Sequence, residues 1–455
     1  MAKKLKDPSE EKTTPPLRGT PPQEGNAQAK NSPPAEGRWL AAGKGQAKPD
    51  GVVPKLRFPE FRSEKTWRSV TLDEMSDRIT EKVGGEKLLP VSITAGTGFV
   101  SQIEKFGRDI SGEQYKNYIR LREGEFSYNK GNSKKYAQGC IYKLREFKEV
   151  AAPYAYISFR LHEGFQPDFY QYLFEMNAHG KQLQKFITSG ARADGLLNID
   201  PADFFHIELP STSLPEQQKI ADCLTSLDTV ITAEAQILDA LKAHKKGVMQ
   251  QLFPAEGETV PHRRFPEFRD SGEWEEDKIS SRIALISGLH LSPDQYGEAG
   301  DIPYFTGPSD FTNDESAIRK WTSESINSAQ SNDILITVKG SGVGSLWHLT
   351  LPSVAMGRQL MAIRPTDCVG LFIFQNLIMR ARRFQDLAAG NLIPGLSRDD
   401  ILQMTFYFPA REEQQRIANC LTSLDELIAA QAEKIEALKA QKKGLLQGLF
   451  PLSGL

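Results

Sequence analysis

The stretch that decides the architecture is EQQKIADCLTSLDTVITAEAQILDALKAHKKGVMQQLFP, residues 216–254. It returns 197 residues later as EQQRIANCLTSLDELIAAQAEKIEALKAQKKGLLQGLFP, residues 413–451, with 25 of 39 positions identical. A shorter motif repeats beside it: Arg57-Phe58-Pro59-Glu60-Phe61-Arg62 with Trp67 recurs as Arg264-Phe265-Pro266-Glu267-Phe268-Arg269 with Trp274. Solenoid repeats have periods of roughly 20 to 50 residues. A period near 200 therefore marks a duplicated unit: lead-in segment, domain, long helix, then the same again.

Inside the long repeat, Ile220, Leu224, Leu227, Ile231, Leu238, Leu241, Val248 and Leu252 follow alternating steps of four and three. Ile417, Leu421, Leu424, Ile428, Ile435, Leu438, Leu445 and Leu449 do so in the second copy. That spacing is a heptad seam. Ser213-x-x-Glu216 with Pro215 reads as a capping box at the start, and each copy stops at Leu-Phe-Pro, since Pro254 and Pro451 cannot continue a helix. About 35 residues at 1.5 Å each give helices of about 50 Å.

The seam is interrupted at matching places, Glu234 with Gln431 and Lys245 with Lys442. Polar seam positions cost stability and fix register. Two domains joined by such helices favour an antiparallel pair with Ile220 near Leu449 and Leu252 near Ile417, a register that sets Lys245 beside Asp425 and Lys442 beside Asp228. Glu412-Glu413 and Asp399-Asp400 read as turn and helix-start carboxylates that suit the helix dipole.

The domains between, 68–212 and 275–410, share a frame. Glu123–Gly131 is matched by Asn332–Gly340 as a turn followed by a strand, and each domain ends with a glycine turn and a short strand closing at Pro210 or Pro409. Helical stretches at 167–187 and 369–388 make both domains mixed. The expected fold is thus α+β: two mixed domains separated and joined by an antiparallel coiled coil, with an internal pseudo-two-fold repeat. The expected divisions are a disordered tail over 1–52, domain 1 over 53–212, a helix over 213–254, domain 2 over 255–410 and a helix over 411–455. Residues 1–50 earn the tail assignment with eight prolines and five glycines.

In its 455 residues, 56 basic side chains nearly balance 58 acidic ones, so nucleic-acid binding would have to come from local patches or partners. Four scattered cysteines, Cys140, Cys223, Cys368 and Cys420, indicate neither a disulfide framework nor a zinc knuckle. No apolar run approaches a membrane span and no signal-peptide core is present, which leads us to expect a cytoplasmic protein.

Polar loops suit DNA, because amides and hydroxyls reach base edges while ammonium groups hold phosphates. The best candidate holds Asn129, Lys130, Asn132, Ser133, Lys134, Lys135, Tyr136 and Gln138, with Lys181, Lys185 and Arg192 as a second group. Lys339, Ser341, Arg358, Gln359 and Asn391 play the analogous part in domain 2, whereas Arg380, Arg382 and Arg383 read as a plain polar helix face. Enzyme motifs fail. Gly340-Ser341-Gly342-Val343-Gly344 lacks the remaining residues of a phosphate-binding loop, and Asp301-Ile302-Pro303-Tyr304 misses a proline of the adenine-methyltransferase tetrapeptide, so it reads as a strand start. Seven dispersed histidines offer no metal pair and no triad.

Val53–Phe61, the repeated Glu-Gln-Gln-Lys/Arg-Ile-Ala with Leu-Thr-Ser-Leu-Asp, and Lys-Lys-Gly ending at Leu-Phe-Pro together resemble the specificity subunit of type I restriction-modification systems. The resemblance implies a non-catalytic subunit with two target-recognition domains, each reading half of a bipartite site in double-stranded DNA. It implies two methylation subunits docked on the helices, restriction (motor and nuclease) subunits in the full complex, and no membrane. S-adenosylmethionine would bind the methylation subunits, and this chain would bind no cofactor. Helix length would set the unspecific spacer between half-sites. Competing readings are a coiled-coil scaffold, a silent specificity cassette without its own active complex, and a self-contained DNA enzyme.

Overall fold

The computed structural model describes residues 51–131, 136–187, 197–324, 326–340, 342–390 and 395–451, without the side chains of 389 and 390. Of the tail expected over 1–52, only Gly51 and Val52 are among them, and Val52 exchanges backbone hydrogen bonds of 3.0 and 2.9 Å with Trp67.

The two repeats form two helices of 39 residues each, Leu214–Leu252 and Arg411–Leu449, packed antiparallel. Ile220 and Leu224 share a buried cluster with Leu449, as do Leu252, Ile417 and Leu421 at the other end. Towards the middle Leu227, Ile231, Leu238, Leu241, Leu424, Ile428 and Leu438 are half-buried, as two helices without a third neighbour require, while Ile435 is buried. Lys245 Nζ lies 2.5 Å from Asp425, and Lys442 Nζ 2.7 Å from Asp228, the two pairs set by the antiparallel register. At the midpoint Gln431 Nε2 donates to Glu234 at 2.6 Å. Each aspartate also anchors a domain: the Tyr172 hydroxyl donates to Asp228 at 2.8 Å and Gln375 Nε2 to Asp425 at 2.7 Å.

The expected capping box does not form. Ser213 is the N-cap residue, but its side chain caps no backbone N–H and donates instead to Glu64 at 2.9 Å. Glu216 is drawn elsewhere: it is buried, with Arg57 Nε and Nη2 each 2.7 Å from its oxygens and the Thr212 hydroxyl on it. Glu413, beyond its place in the first turn of the second helix, is likewise buried against Arg264. The short repeat and the long repeat are thus two halves of one joint.

Leu-Phe-Pro does more than stop a helix. Phe253 packs on Trp274 and Phe372 at ring separations of 6.3 and 5.3 Å, so the first helix ends inside domain 2. Phe450 packs on Trp67 and Phe169 at 6.3 and 5.1 Å, so the second ends inside domain 1. A Cβ on Gly448 would meet Leu56 Cδ1 at 2.4 Å, and the Gly448 carbonyl accepts from Leu56 N–H at 2.8 Å, so the lead-in segment lies directly on the end of the second helix.

In domain 1 the strands Ser76–Arg78 (β1), Phe126–Asn129 (β2), Cys140–Lys143 (β3) and Ile157–Leu161 (β4) form an antiparallel sheet of order β1-β4-β2-β3. In domain 2 Ile283–Ser287 (β5), Ile334–Thr337 (β6), Leu346–His348 (β7) and Leu360–Pro365 (β8) repeat it as β5-β8-β6-β7. The expected closing strands are Glu208–Ser211 and Thr405–Phe408, each paired with the strand after a repeated tryptophan. Asp301–Tyr304 leads into the strand Ile302–Phe305.

One alignment shifts. Phe126 faces Phe159 as Ile334 faces Ile363, and the Lys130 and Val338 carbonyls accept from Leu197 and Leu396. Lys130 therefore corresponds to Val338, one residue before the Lys339 that the sequence match gave. A one-residue slip exchanges the two faces of a strand, so core packing decides it. The same equivalence exposes a shared buried acid: Glu125 bonded to Arg160, and Asp333 bonded to Arg364 at 2.7 Å.

Candidate nucleic-acid interface

Pairing directions place the end of β1, the start of β4, the end of β2 and the start of β3 along one edge of the domain 1 sheet. The equivalent edge of domain 2 carries the end of β5 and β6 and the start of β7 and β8. Four strands at about 4.8 Å spacing make an edge about 14 Å wide, comparable to the DNA major groove of about 12 Å.

In domain 2 this edge brings together Lys339, Arg358 and Gln359. Val338 N–H donates to the Gln359 carbonyl at 2.8 Å, so the segments carrying Lys339 and Arg358 run side by side. All three side chains are exposed, and neither Lys339 nor Arg358 forms an ion pair among the described residues. Beneath them Leu289 N–H donates to Met356 at 2.8 Å, and a Cβ on Gly288 would sit 2.2 Å from the Gly357 carbonyl oxygen, a contact only glycine permits. This runs the segment carrying exposed Leu289 and His290 beside Met356 and Gly357, which lead into Arg358; no local motif marks these two residues in the sequence. Ser341 and Asn391 lie outside the described residues.

Domain 1 is built differently. Asn129 Nδ2 donates to the Ile93 carbonyl at 3.3 Å while its oxygen accepts from Gly131 N–H, and Lys130 Nζ donates to the Ile199 carbonyl at 2.9 Å. These two side chains hold the loop base. Tyr136 is half-buried against an apolar cluster, and Gln138 takes the Tyr128 hydroxyl on its carbonyl and the Asn177 amide on its side chain. Lys181 and Lys185 are exposed on and beside the short helix Gly180–Gln184. Asn132, Ser133, Lys134, Lys135 and Arg192 lie outside the described residues. Behind the loop His179 is buried against Tyr128 and Phe174, and burial pushes its imidazole down to about 4 despite an opposing pull from the Gly139 backbone.

Arg380 departs from the plain polar face expected of it. Its guanidinium stands 4.5 Å over the Phe406 ring, and burial pushes it down to about 10, while Arg382 and Arg383 are exposed. Among the described residues no helix is long and apolar enough to cross a membrane.

Residues 272–440 match the family described as the type I restriction modification DNA specificity domain. Together with the fold, this decides the relationship. The stretch 272–440 belongs to the type I restriction modification DNA specificity domain family. A Methanocaldococcus jannaschii protein assigned as the specificity subunit of type I restriction enzyme MjaX is 25% identical over 288 residues, 61% of this chain and 67% of that one. The MjaVIII specificity subunit of the same organism is 23% identical over 293 residues, 59% and 67% of the two chains. The crystal structure of the type I S subunit from M. genitalium shares the fold with a TM-score of 0.59 at 15% identity, over 88% of this chain and 99% of that one. The family match covers domain 2 and most of the second helix; the internal repeat extends the same frame to domain 1.

Proposed function

We propose that this chain is a type I specificity subunit that reads a bipartite, asymmetric site in double-stranded DNA, one half-site per domain, with the helix pair setting the spacer. The observation that carries the reading is the pseudo-two-fold itself: two domains with one frame, unlike side chains along their equivalent sheet edges, and one antiparallel helix pair pinned by Lys245–Asp425 and Lys442–Asp228. A shared frame conserves how the nucleic acid is approached, and different edge residues read different bases.

The helices also offer their outer faces to two methylation subunits, which would bind S-adenosylmethionine and carry the chemistry, with restriction subunits completing the complex. This chain acts without a cofactor of its own, in the cytoplasm. Domain 2 holds 11 basic against 15 acidic residues over 275–408, a net of 11 − 15 = −4, which opposes a phosphate backbone. The lone chain should bind DNA weakly and the complex strongly, both falling steeply with salt.

The test is to map methylated adenines in cells expressing the chain with its neighbouring methylation subunit, with and without a deletion of this gene alone. A bipartite motif that disappears with the gene supports the reading. An unchanged map under an active methyltransferase refutes it.

A further inference from the structure

From residue 149 to 161 the two domains run in step at a constant offset of 204. The strand Glu149–Ala152 answers Ser353–Met356, Phe159 answers Ile363, and Arg160, on its buried glutamate, answers Arg364 on its aspartate. No insertion separates them, so the turn Pro153–Tyr156 occupies the place of Gly357–Leu360. Tyr154 stands where Arg358 stands.

Tyr154 is 59% exposed, and among the described residues its phenol has no hydrogen-bond partner. Its turn is nonetheless fixed: the Tyr156 hydroxyl accepts from Ile93 N–H at 3.2 Å, and Tyr156 N–H donates to the Pro153 carbonyl at 3.0 Å. An exposed tyrosine on a fixed turn presents an apolar ring with a polar tip, the form suited to a surface that is part apolar and part wet. Beside it runs a groove of about 370 Å³ whose lining includes Arg78, Thr80, Lys82, Gln114 and Asn117, and no carboxylate. Arg78 forms no ion pair among the described residues, and Lys82 Nζ makes one neutral hydrogen bond, 3.2 Å to Asn117. Of the two acids that adjoin these cations in sequence, neither lines the groove: Glu81 is held by Arg122 at 2.8 Å and Asp77 lies 3.2 Å from His162. Two available cations, two amides, a hydroxyl and an aromatic ring are the donor set that engages phosphates and base edges together.

We propose that this groove is a DNA-contact site of domain 1, with Tyr154 a specificity-determining residue in the position Arg358 holds in domain 2, and with Arg78 and Lys82 on flanking phosphates. The inference rests on the DNA reading above and adds to it a site on the β1 and β4 side of the edge, away from β3.

The experiment uses the complex of the full chain with its methylation subunits, wild type, Tyr154→Ala, and Arg78→Ala with Lys82→Ala. Tyr154→Ala should relax or change base preference within one half-site, weakening the cognate site by about tenfold or more while the other half-site and the spacer stay fixed. The double cation variant should weaken all sequences alike and reduce the slope of log affinity against log salt by about two. Tyr154 is exposed, so unchanged thermal unfolding of that variant separates contact from folding. A wild-type complex that reads its motif while both variants keep the same half-site and salt slope overturns this proposal and leaves the DNA reading intact. A wild-type motif independent of this chain overturns both.

Discussion

Arg57 and Arg264 show how one residue joins distant segments. Each guanidinium lies against a buried glutamate 159 or 149 residues away, and the hydrogen bond that Arg57 donates to Glu216 raises the guanidinium above the ordinary arginine value, so Arg57 stays charged at any working pH. Removing one partner of a buried pair strands the other charge. Arg57→Ala and Arg264→Ala should each lose about 3–5 kcal/mol in chemical denaturation, and a loss near zero would show the pair to be idle. Both arginines stood in a visible repeat, but their partner was not legible: Glu216 sat at capping-box spacing, and only tertiary structure reveals that burial claims it first. His179 gives a pH signature. Its unfolded form takes a proton near pH 6.5 while the buried ring resists until about 4, so the unfolded state binds more protons in between and stability falls as pH drops through that window. The full effect is about 3 kcal/mol, and it should vanish in His179→Phe when unfolding is followed from pH 7 to 4.

At the scale of elements, the helix pair was the most legible part of the chain. A seam of eight apolar positions per copy dictates pairing, and the matched lysines dictate register. What pattern could not give is that Asp228 and Asp425 each join three parts, through Tyr172 with Lys442 and through Gln375 with Lys245. Such joints couple domain orientation to helix register. A double-mutant cycle on Lys245 and Asp425 should return a coupling of roughly 0.5–3 kcal/mol, with a comparable value for Lys442 and Asp228. Coupling indistinguishable from zero would mean the apolar seam alone sets the register. Glu234, held below the usual carboxylate range by Lys434 and Gln431, adds a midpoint contact that weakens only when pH falls through its lowered value.

At the scale of the whole molecule, the repeat of the domains is far less visible than that of the helices. Its signal is carried by strand register and by Glu125–Arg160 and Asp333–Arg364, whose acids align only after a one-residue correction to the strand match and whose pairs span 35 and 31 residues. Loops change length and chemistry where function demands it, which is why composition singled out Lys339, Arg358 and Gln359 as candidates but not Leu289, His290 or Tyr154. The helix pair carries those edges at a fixed separation, and that separation is the central claim. Adding one heptad to both long helices returns each domain to the same face of the coil and moves the domains apart by about 10 Å, about three base pairs of DNA. The decisive measurement is the map of methylated adenines made with that lengthened chain. Unchanged half-sites with a spacer longer by about three base pairs is the expected result; altered half-sites, or an unaltered spacer, would contradict it.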